Sequence, residues 1–153
     1  MILSGRTIRR LCIITPHEQR TRHAGMTYGE SVSGYDVRLG EAVEVIQGYT
    51  SLGVSLERFS MPLDVLGRVA DKSTWARLGL QVQNTIIEAG WEGHLTLELT
   101  YMPLITDAGR PLRIAAGTPI AQVIFEYIDH ETAGYDGKYQ HAGPVAQVAI
   151  LEP

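Results

Sequence analysis

Four stretches of the chain alternate between apolar and polar residues with a period of two. They cover residues 52–57, 80–87, 94–99 and 120–125. This period is typical of a β-strand with one buried face, whereas an amphipathic helix repeats about every 3.6 residues. Glycine- and proline-containing turn signals separate the stretches. Several short strands at such spacing predict an all-β sandwich or barrel rather than strands alternating with long helices.

The N-terminal residues follow a helical pattern instead. Ser4 is a suitable N-cap for a short helix over residues 5–11. Within that helix the spacing of Ile8, Leu11 and Cys12 predicts one buried face.

Two segments show neither period. Residues 15–34 are polar and contain glycine, so we expect a long loop there. From about residue 131 the chain is rich in glycine, tyrosine and polar residues, which indicates a mobile C-terminal arm over residues 131–153. With 153 residues, 44% of them hydrophobic and 20% charged, the chain is expected to form a single globular domain over residues 1–153.

Charge and cysteine content narrow the functional classes. The net charge is −4, and the five arginines among residues 1–25 stand against a single acid, Glu18. We interpret this basic start as a helix with a solvated arginine face, with a transit peptide as the less favoured alternative. The acidic remainder argues against binding of duplex nucleic acid. A single cysteine excludes an intrachain disulfide and a Cys-based zinc site, and it suits the reducing cytoplasm.

The first candidate chemical segment precedes the second alternating stretch. Ser73 or Thr74 can start a helical turn whose free N–H groups favour an anion. Lys72 and Arg77 add positive charge on either side, and Gly79 can end the turn in a left-handed conformation. A capped surface turn with a solvated arginine is the alternative interpretation.

The second candidate is a glutamate within a strand. The leucines of residues 94–99 take one face, so Glu98 shares the other face with His94 and Thr96. Glu98 is therefore either exposed to solvent or placed in a polar pocket. A partly buried carboxylate with a raised pKa can act as a general base near neutral pH.

The third candidate lies near the C-terminus, in residues 135–140. Lys138 stands between Tyr135 and Tyr139, next to Gly137. Two aromatic rings and a cation beside a flexible glycine suit closure over a base and a phosphate. A solvated polar tail is the alternative.

Common phosphate-loop, dinucleotide and nucleophile-elbow motifs are absent from the sequence, and the five histidines show no paired spacing.

Taken together and in order, these segments resemble the dCTP deaminase family within the dUTPase-like superfamily. The segments that carry the resemblance are residues 1–10, 34–40 (GYDVRLG), 72–80 (KSTWARLGL), 87–99 (IEAGWEGHLTLEL), 117–122 (GTPIAQ) and 135–140 (YDGKYQ). The resemblance implies a mostly β fold, a dUTPase-like distorted β-barrel or jelly-roll-like domain with a short N-terminal helix and a mobile C-terminal lid. It also implies a cytoplasmic homotrimer whose active sites are shared at subunit interfaces.

The implied activity is zinc-independent hydrolytic deamination of dCTP to dUTP and ammonia, in pyrimidine deoxynucleotide metabolism. Mg²⁺ would be carried by the triphosphate and not by a protein site, and neither nucleic acid nor membrane is an implied partner. Carried over by position, Glu98 is the general base, Ser73 holds the attacking water and Arg77 stabilises charge at the reacting centre. The implied substrate-binding residues are Lys72, Thr74, Gln122 and Lys138 at the phosphates, Asn84, Thr85, Ile87 and Glu88 at the sugar and base, Trp91 behind them, and Tyr135, Tyr139 and Gln140 in the lid.

The chain departs from the family pattern at three places. Glu88 replaces the usual aspartate, the segment before it is about two residues shorter, and Ala142 stands where a lid glutamine is usual, with Gln140 as its substitute. A dUTPase, or a bifunctional dCTP deaminase and dUTP diphosphatase, remains an alternative function. A non-catalytic protein that binds or senses a pyrimidine nucleotide is a second alternative. Glu98 favours deamination, because the resemblance implies that plain dUTPases lack this carboxylate.

Overall fold

Short antiparallel strands are the main regular structure of the computed structural model, which describes residues 1–104 and 109–151. The last two residues of the predicted arm therefore lie outside the described residues. The two helices are α1 Gly5–Arg10 and α2 Ser73–Ala76. The strands are β1 Ile14–Thr15, β2 Thr21–His23, β3 Met26–Ser31, β4 Gly34–Arg38, β5 Val43–Val45, β6 Thr50–Ser60, β7 Val65–Asp71, β8 Leu80–Val82, β9 Ile86–Ile87, β10 Glu92–Tyr101, β11 Leu112–Ile114 and β12 Pro119–Tyr127. None of the described helices is long and apolar enough to cross a membrane.

The strands of the described residues form three sheets. The largest has the order β2-β3-β4-β12-β7-β9, the second has the order β1-β6-β10-β8, and β11 pairs with β5 in a small third sheet. All pairings between the described strands are antiparallel. The predicted mostly β fold is confirmed, and the four alternating stretches all contribute strands.

The core lies between the two larger sheets. Phe59 of β6 packs against Trp91 and Phe125 with ring centroids 6.2 Å and 6.3 Å apart. Leu97 and Leu99 of β10 are completely buried in the same core. This confirms which face of β10 was predicted to be apolar, and it turns the polar face of that strand away from the core.

The N-terminal helix forms where it was predicted, and Ser4 caps it by accepting a hydrogen bond from the Thr7 N–H. Ile8 is buried, as expected. The predicted burial of Cys12 is wrong, because the helix ends at Arg10. Cys12 has φ +52° and is exposed, so the helical spacing does not extend to it.

The predicted loop over residues 15–34 is also wrong. It contains the β2–β3 hairpin, in which His23 pairs with Met26 across a two-residue turn. Ala24 and Gly25 both have positive φ, of 49° and 77°, which is the backbone of a type I′ turn. Because β2 is exposed throughout, it has no alternation that could reveal it.

Residues 80–87 form two strands instead of the single predicted one. β8 pairs with β10 in one sheet, and β9 pairs with β7 in the other. The chain therefore crosses from sheet to sheet at residues 83–85. This crossing opens the space in which the candidate site lies.

Candidate active site

A cavity of about 420 Å³ lies between β10, the sheet-to-sheet crossing and the C-terminal segment. Most of the residues predicted for the base, the sugar and the chemistry line it. These are Asn84, Thr85, Ile87, Glu88, Trp91, Glu98, Tyr135 and Tyr139. The structure thus brings together residues that are up to 55 positions apart in the sequence.

Glu98 reaches the cavity because it points away from the buried faces of Leu97 and Leu99. Its Oε2 atom is buried and accepts no hydrogen bond from the described residues. Burial raises the pKa of the Glu98 carboxyl above its ordinary value, and no charged partner among the causes offsets this effect. The carboxylate is therefore a stronger base than an exposed glutamate.

The backbone around Glu98 is fixed from the crossing segment. The Gln83 N–H donates to the Glu98 carbonyl oxygen at 2.8 Å. The Asn84 side chain then makes two more bonds, donating from Nδ2 to the Thr96 carbonyl at 2.7 Å and accepting at Oδ1 from the Glu98 N–H at 3.2 Å. These three bonds extend the contact with β10 beyond Val82, where β8 ends.

His94 lines the same cavity, although it was not among the predicted site residues. Its Nδ1 lies 3.1 Å from the carbonyl oxygen of Ser55. A carbonyl only accepts, so Nδ1 is the donor in this contact. The alternation that placed His94 on the face of Glu98 was the signal that could have identified it.

The pairing of β10 is interrupted within the strand. The pairing of β10 with β6 changes register between His94 and Thr96. Leu95 consequently lines the cavity and is only partly buried against the core, contrary to the predicted alternation. Irregularities of this kind re-aim side chains beside functional sites.

Aromatic side chains close one side of the cavity. Trp91 is buried, and its Nε1 donates to the Tyr139 carbonyl at 2.8 Å. The Tyr135 N–H donates to the Ala89 carbonyl at 2.8 Å. The predicted lid is therefore attached to the turn that precedes β10.

The Gln140 side chain makes three hydrogen bonds in the lid region. Its Oε1 accepts from the Glu92 N–H at 2.8 Å, and its Nε2 donates to the carbonyls of Gly90 and Tyr135 at 2.9 Å and 3.0 Å. The amide is therefore fully committed to backbone groups. In this structure Gln140 holds the lid against β10 and lies outside the cavity lining that the described residues form.

The residues after the lid fold back over the cavity. The Gln147 N–H donates to Thr96 Oγ1 at 3.0 Å, and the Ile150 N–H donates to the Tyr139 hydroxyl at 2.9 Å. Lys138 Nζ donates to the carbonyl of Ile150. Gln147 and Ala149 line the cavity as a result, and neither was predicted to do so.

The remaining predicted residues lie outside this cavity. Ser73, Thr74 and Arg77 are exposed, on or just after α2. Lys72 is buried, with Nζ 2.8 Å from Asp36 Oδ2. Gln122 donates from Nε2 to Ser31 Oγ at 3.0 Å on the larger sheet. The expected start of the turn at Ser73 and the left-handed Gly79, with φ +90°, are both confirmed.

Metal-ligating side chains are not clustered in the described part of the chain. Within residues 1–104 and 109–151, no three His, Cys, Asp or Glu side chains come together in a way that could hold a metal ion.

Sequence comparison relates the chain to enzymes of nucleotide metabolism. The family model described as dCTP deaminase-like matches residues 45–128. The dCTP deaminase of Nautilia profundicola is 33% identical over 83% of this chain and 84% of its own length. The dCTP deaminase of Thioalkalivibrio sulfidiphilus is 32% identical over 99% of this chain and 98% of its own length.

Structural comparison shows the same fold in more distant proteins. The 2′-deoxycytidine 5′-triphosphate deaminase of Agrobacterium tumefaciens matches with a TM-score of 0.62 at 17% identity, over 83% of this chain and 48% of that chain. The EIAV dUTPase matches with a TM-score of 0.57 at 17% identity, over 82% of this chain and 97% of that chain. A mutant dUTPase of phage phi11 of S. aureus, described with a structural Mg(II) ion, matches with a TM-score of 0.55 at 16% identity, over 80% of this chain and 92% of that chain.

Proposed function

The chain belongs to the dCTP deaminase family, and on that premise we propose that it hydrolyses dCTP to dUTP and ammonia. The observation that carries the proposal is the carboxylate of Glu98, held at the cavity wall with a buried oxygen that the described residues leave unpaired. A general base needs a pKa closer to the operating pH than that of an exposed carboxylate, and burial moves the pKa of Glu98 in that direction.

In the proposed reaction Glu98 removes a proton from water while the water oxygen bonds to C4 of cytosine. That proton goes to N3 of the ring, and the second proton of the same water passes from the new C4 hydroxyl, through Glu98, to the exocyclic nitrogen. The C4–N4 bond then breaks, ammonia leaves, and a carbonyl remains at C4. One water is consumed, and no electrons are exchanged with a further reactant.

Two further residues complete the proposed chemistry, Ser73 in α2 and Arg77 directly after it. Ser73 would hold the attacking water, and Arg77 would stabilise negative charge around Glu98. Both are exposed and outside the cavity, so a neighbouring subunit would supply them. We therefore propose active sites at subunit interfaces, as the expected cytoplasmic homotrimer would have.

The nucleotide would lie along the cavity, with the cytosine near Glu98. Asn84, Thr85, Ile87 and Glu88 would line the sugar and base, and Trp91 would pack behind them. Tyr135, Tyr139 and Gln140 would form the lid, while Lys72, Thr74, Gln122 and Lys138 would meet the phosphates. An ammonium has three N–H donors, so the contact of Lys72 with Asp36 leaves donors for a phosphate. Mg²⁺ would arrive on the triphosphate.

The decisive test incubates the purified protein and Mg²⁺ separately with dCTP, CTP, dCMP and dUTP, with products resolved by ion-exchange chromatography. We expect dCTP to yield dUTP and ammonia. The Glu98→Gln variant should lose roughly 10²–10⁴-fold in rate, because it removes the base without changing the side chain's shape. Glu126→Gln is the matched control, since Glu126 is also a strand glutamate but pairs with Arg68 away from the cavity.

Other products would favour other members of the superfamily. Release of dUMP and pyrophosphate from dUTP, with dCTP untouched, would overturn deamination in favour of a dUTPase. Conversion of dCTP to dUMP would indicate the bifunctional alternative. Binding of dCTP without turnover would favour a nucleotide sensor.

A further inference from the structure

The Asn84 side chain takes the place of a strand along one edge of β10. In an antiparallel pair, each strand donates its N–H groups to, and accepts at its carbonyls from, the backbone of its neighbour. β8 ends at Val82, and the chain leaves for the other sheet soon afterwards. The Thr96 carbonyl and the Glu98 N–H would then be without a strand partner on this edge, and the Asn84 amide satisfies both.

The chemistry of the two backbone groups fixes the orientation of this amide. A peptide N–H only donates and a carbonyl only accepts, so Oδ1 must face Glu98 and Nδ2 must face Thr96. A reversed amide would set donor against donor and acceptor against acceptor. Asn84 is therefore held in one orientation by β10, and it holds β10 in return.

This attachment lies where β10 most needs support. The register of β10 against β6 shifts between His94 and Thr96, and Asn84 bonds to the strand directly above that irregularity. No hydrogen bond from the described residues holds the buried Oε2 atom of the Glu98 carboxylate in place. Its direction consequently depends on the backbone that carries it.

We infer that Asn84 is a positioning residue, whose amide fixes the β10 backbone at Thr96 and Glu98 and thereby aims the Glu98 carboxylate into the cavity. The inference rests on the proposed function for its catalytic consequence. It assigns Asn84 a role that acts through Glu98 in addition to its place in the cavity lining.

Steady-state kinetics with dCTP test the catalytic part. The Asn84→Ala variant should lose roughly 10- to 100-fold in kcat, since a misplacement of about 1 Å can cost 10²-fold. Its KM should rise far less than its kcat falls, because the aim of Glu98 matters in the reaction and both polar atoms of the Asn84 amide already bond to β10. Gln83→Ala is the matched control and should keep wild-type kinetics. Its side chain only accepts an exposed hydrogen bond from Thr100, and its backbone bond to Glu98 remains.

Amide hydrogen exchange followed by NMR tests the structural part without any nucleotide. The Glu98 amide should exchange roughly tenfold faster in Asn84→Ala than in the wild type, and Gln83→Ala should leave it unchanged. An unchanged Glu98 exchange rate would overturn the inference. So would a raised KM with an unaltered kcat, which would make Asn84 solely a binding residue. A wild-type protein that does not deaminate dCTP would overturn the proposed function alone, and the exchange rates would still decide the inference.

Discussion

At position 98 a strand carries a carboxylate that has lost part of its hydration. Lost hydration disfavours the ionised form, so burial raises the pKa of Glu98 above its ordinary value of 4.5. A general base works only when ionised, and the rate must therefore fall as the pH drops through this raised pKa. We expect kcat/KM for dCTP to decline on the acid side of a midpoint above 4.5, by roughly tenfold per pH unit once below it. A pH–rate profile measures that midpoint.

His94 provides the control for this profile. It lines the same cavity as Glu98 and is another acid–base side chain there. His94→Asn should leave the acid midpoint in place if Glu98 is the group that titrates. Two results would contradict the assignment of the acid midpoint to Glu98. One is a midpoint that moves in the His94→Asn variant, and the other is a midpoint equal to the ordinary pKa of an exposed glutamate.

Single residues were predictable from sequence where the local period was regular. Glu98 could be placed on the polar face of β10 because Leu97 and Leu99 keep strict alternation. Leu95 could not be placed, because a shift of register depends on how β6 pairs with β10 and leaves no mark in the local pattern. The predicted burial of Cys12 was wrong for a related reason, since the helical spacing does not reveal that the helix ends at Arg10.

At the scale of elements, the Gln140 side chain is one of the attachments of the lid. Gln140 satisfies the Glu92 N–H and two carbonyls at once. Leaving a partly buried backbone donor without a partner costs about 1–3 kcal/mol, so Gln140→Ala should loosen the lid by about that free energy. We expect faster amide exchange at Tyr135 and His141, whose N–H groups bond to residues beside β10.

Hydrogen–deuterium exchange of the lid peptides measures this effect. Asp136→Ala is the matched control, because Asp136 is an exposed residue of the same segment. Equal exchange in the Gln140→Ala and control variants would mean that the lid is held by other contacts, such as the bond from Trp91 to Tyr139.

Strands with a long apolar face were predictable from the sequence. Strands whose bounds are set by a turn or by hydrogen bonds to another strand were not. β6, β10 and β12 each contain one of the alternating stretches. β2 is exposed throughout, so only its turn of Ala24 and Gly25 could have revealed it. The break between β8 and β9 falls where the Asn84 side chain bonds to β10 in place of a strand, and a pattern of apolar positions does not record such bonds.

For the whole molecule, the order of segments in the sequence predicted many of the residues that line the cavity, but not that α2 lies outside it. The fold brings the crossing segment, β10 and the C-terminal residues to one cavity, as the resemblance to the family implied. It leaves Ser73, Thr74 and Arg77 exposed and outside that cavity. The pattern of apolar and polar positions does not indicate which residues contact another copy, so the expectation of shared sites came only from the resemblance to the family.

The proposed sharing of sites makes a prediction about mixtures of inactive subunits. Suppose Glu98 of one subunit acts with Arg77 of its neighbour in a trimer. Glu98→Gln and Arg77→Ala homotrimers should then both be nearly inactive, because each lacks one half of every site. When equal amounts of the two are unfolded and refolded together, a site works only where a subunit with an intact Glu98 meets a neighbour with an intact Arg77. Random assortment gives this arrangement at about a quarter of the sites, so about that fraction of wild-type activity should return.

Native mass spectrometry of differently tagged subunits must accompany the activity measurement, because recovery requires that mixed trimers form. Refolding each variant alone is the control and should restore nothing. Mixed trimers without activity would mean that Glu98 and Arg77 must come from the same subunit, since no mixture then contains a complete pair. That result would require α2 to move toward the cavity of its own chain, against the exposed position it has here. Recovery of activity would instead make assembly a condition of catalysis and would explain why Arg77 is exposed in the single subunit.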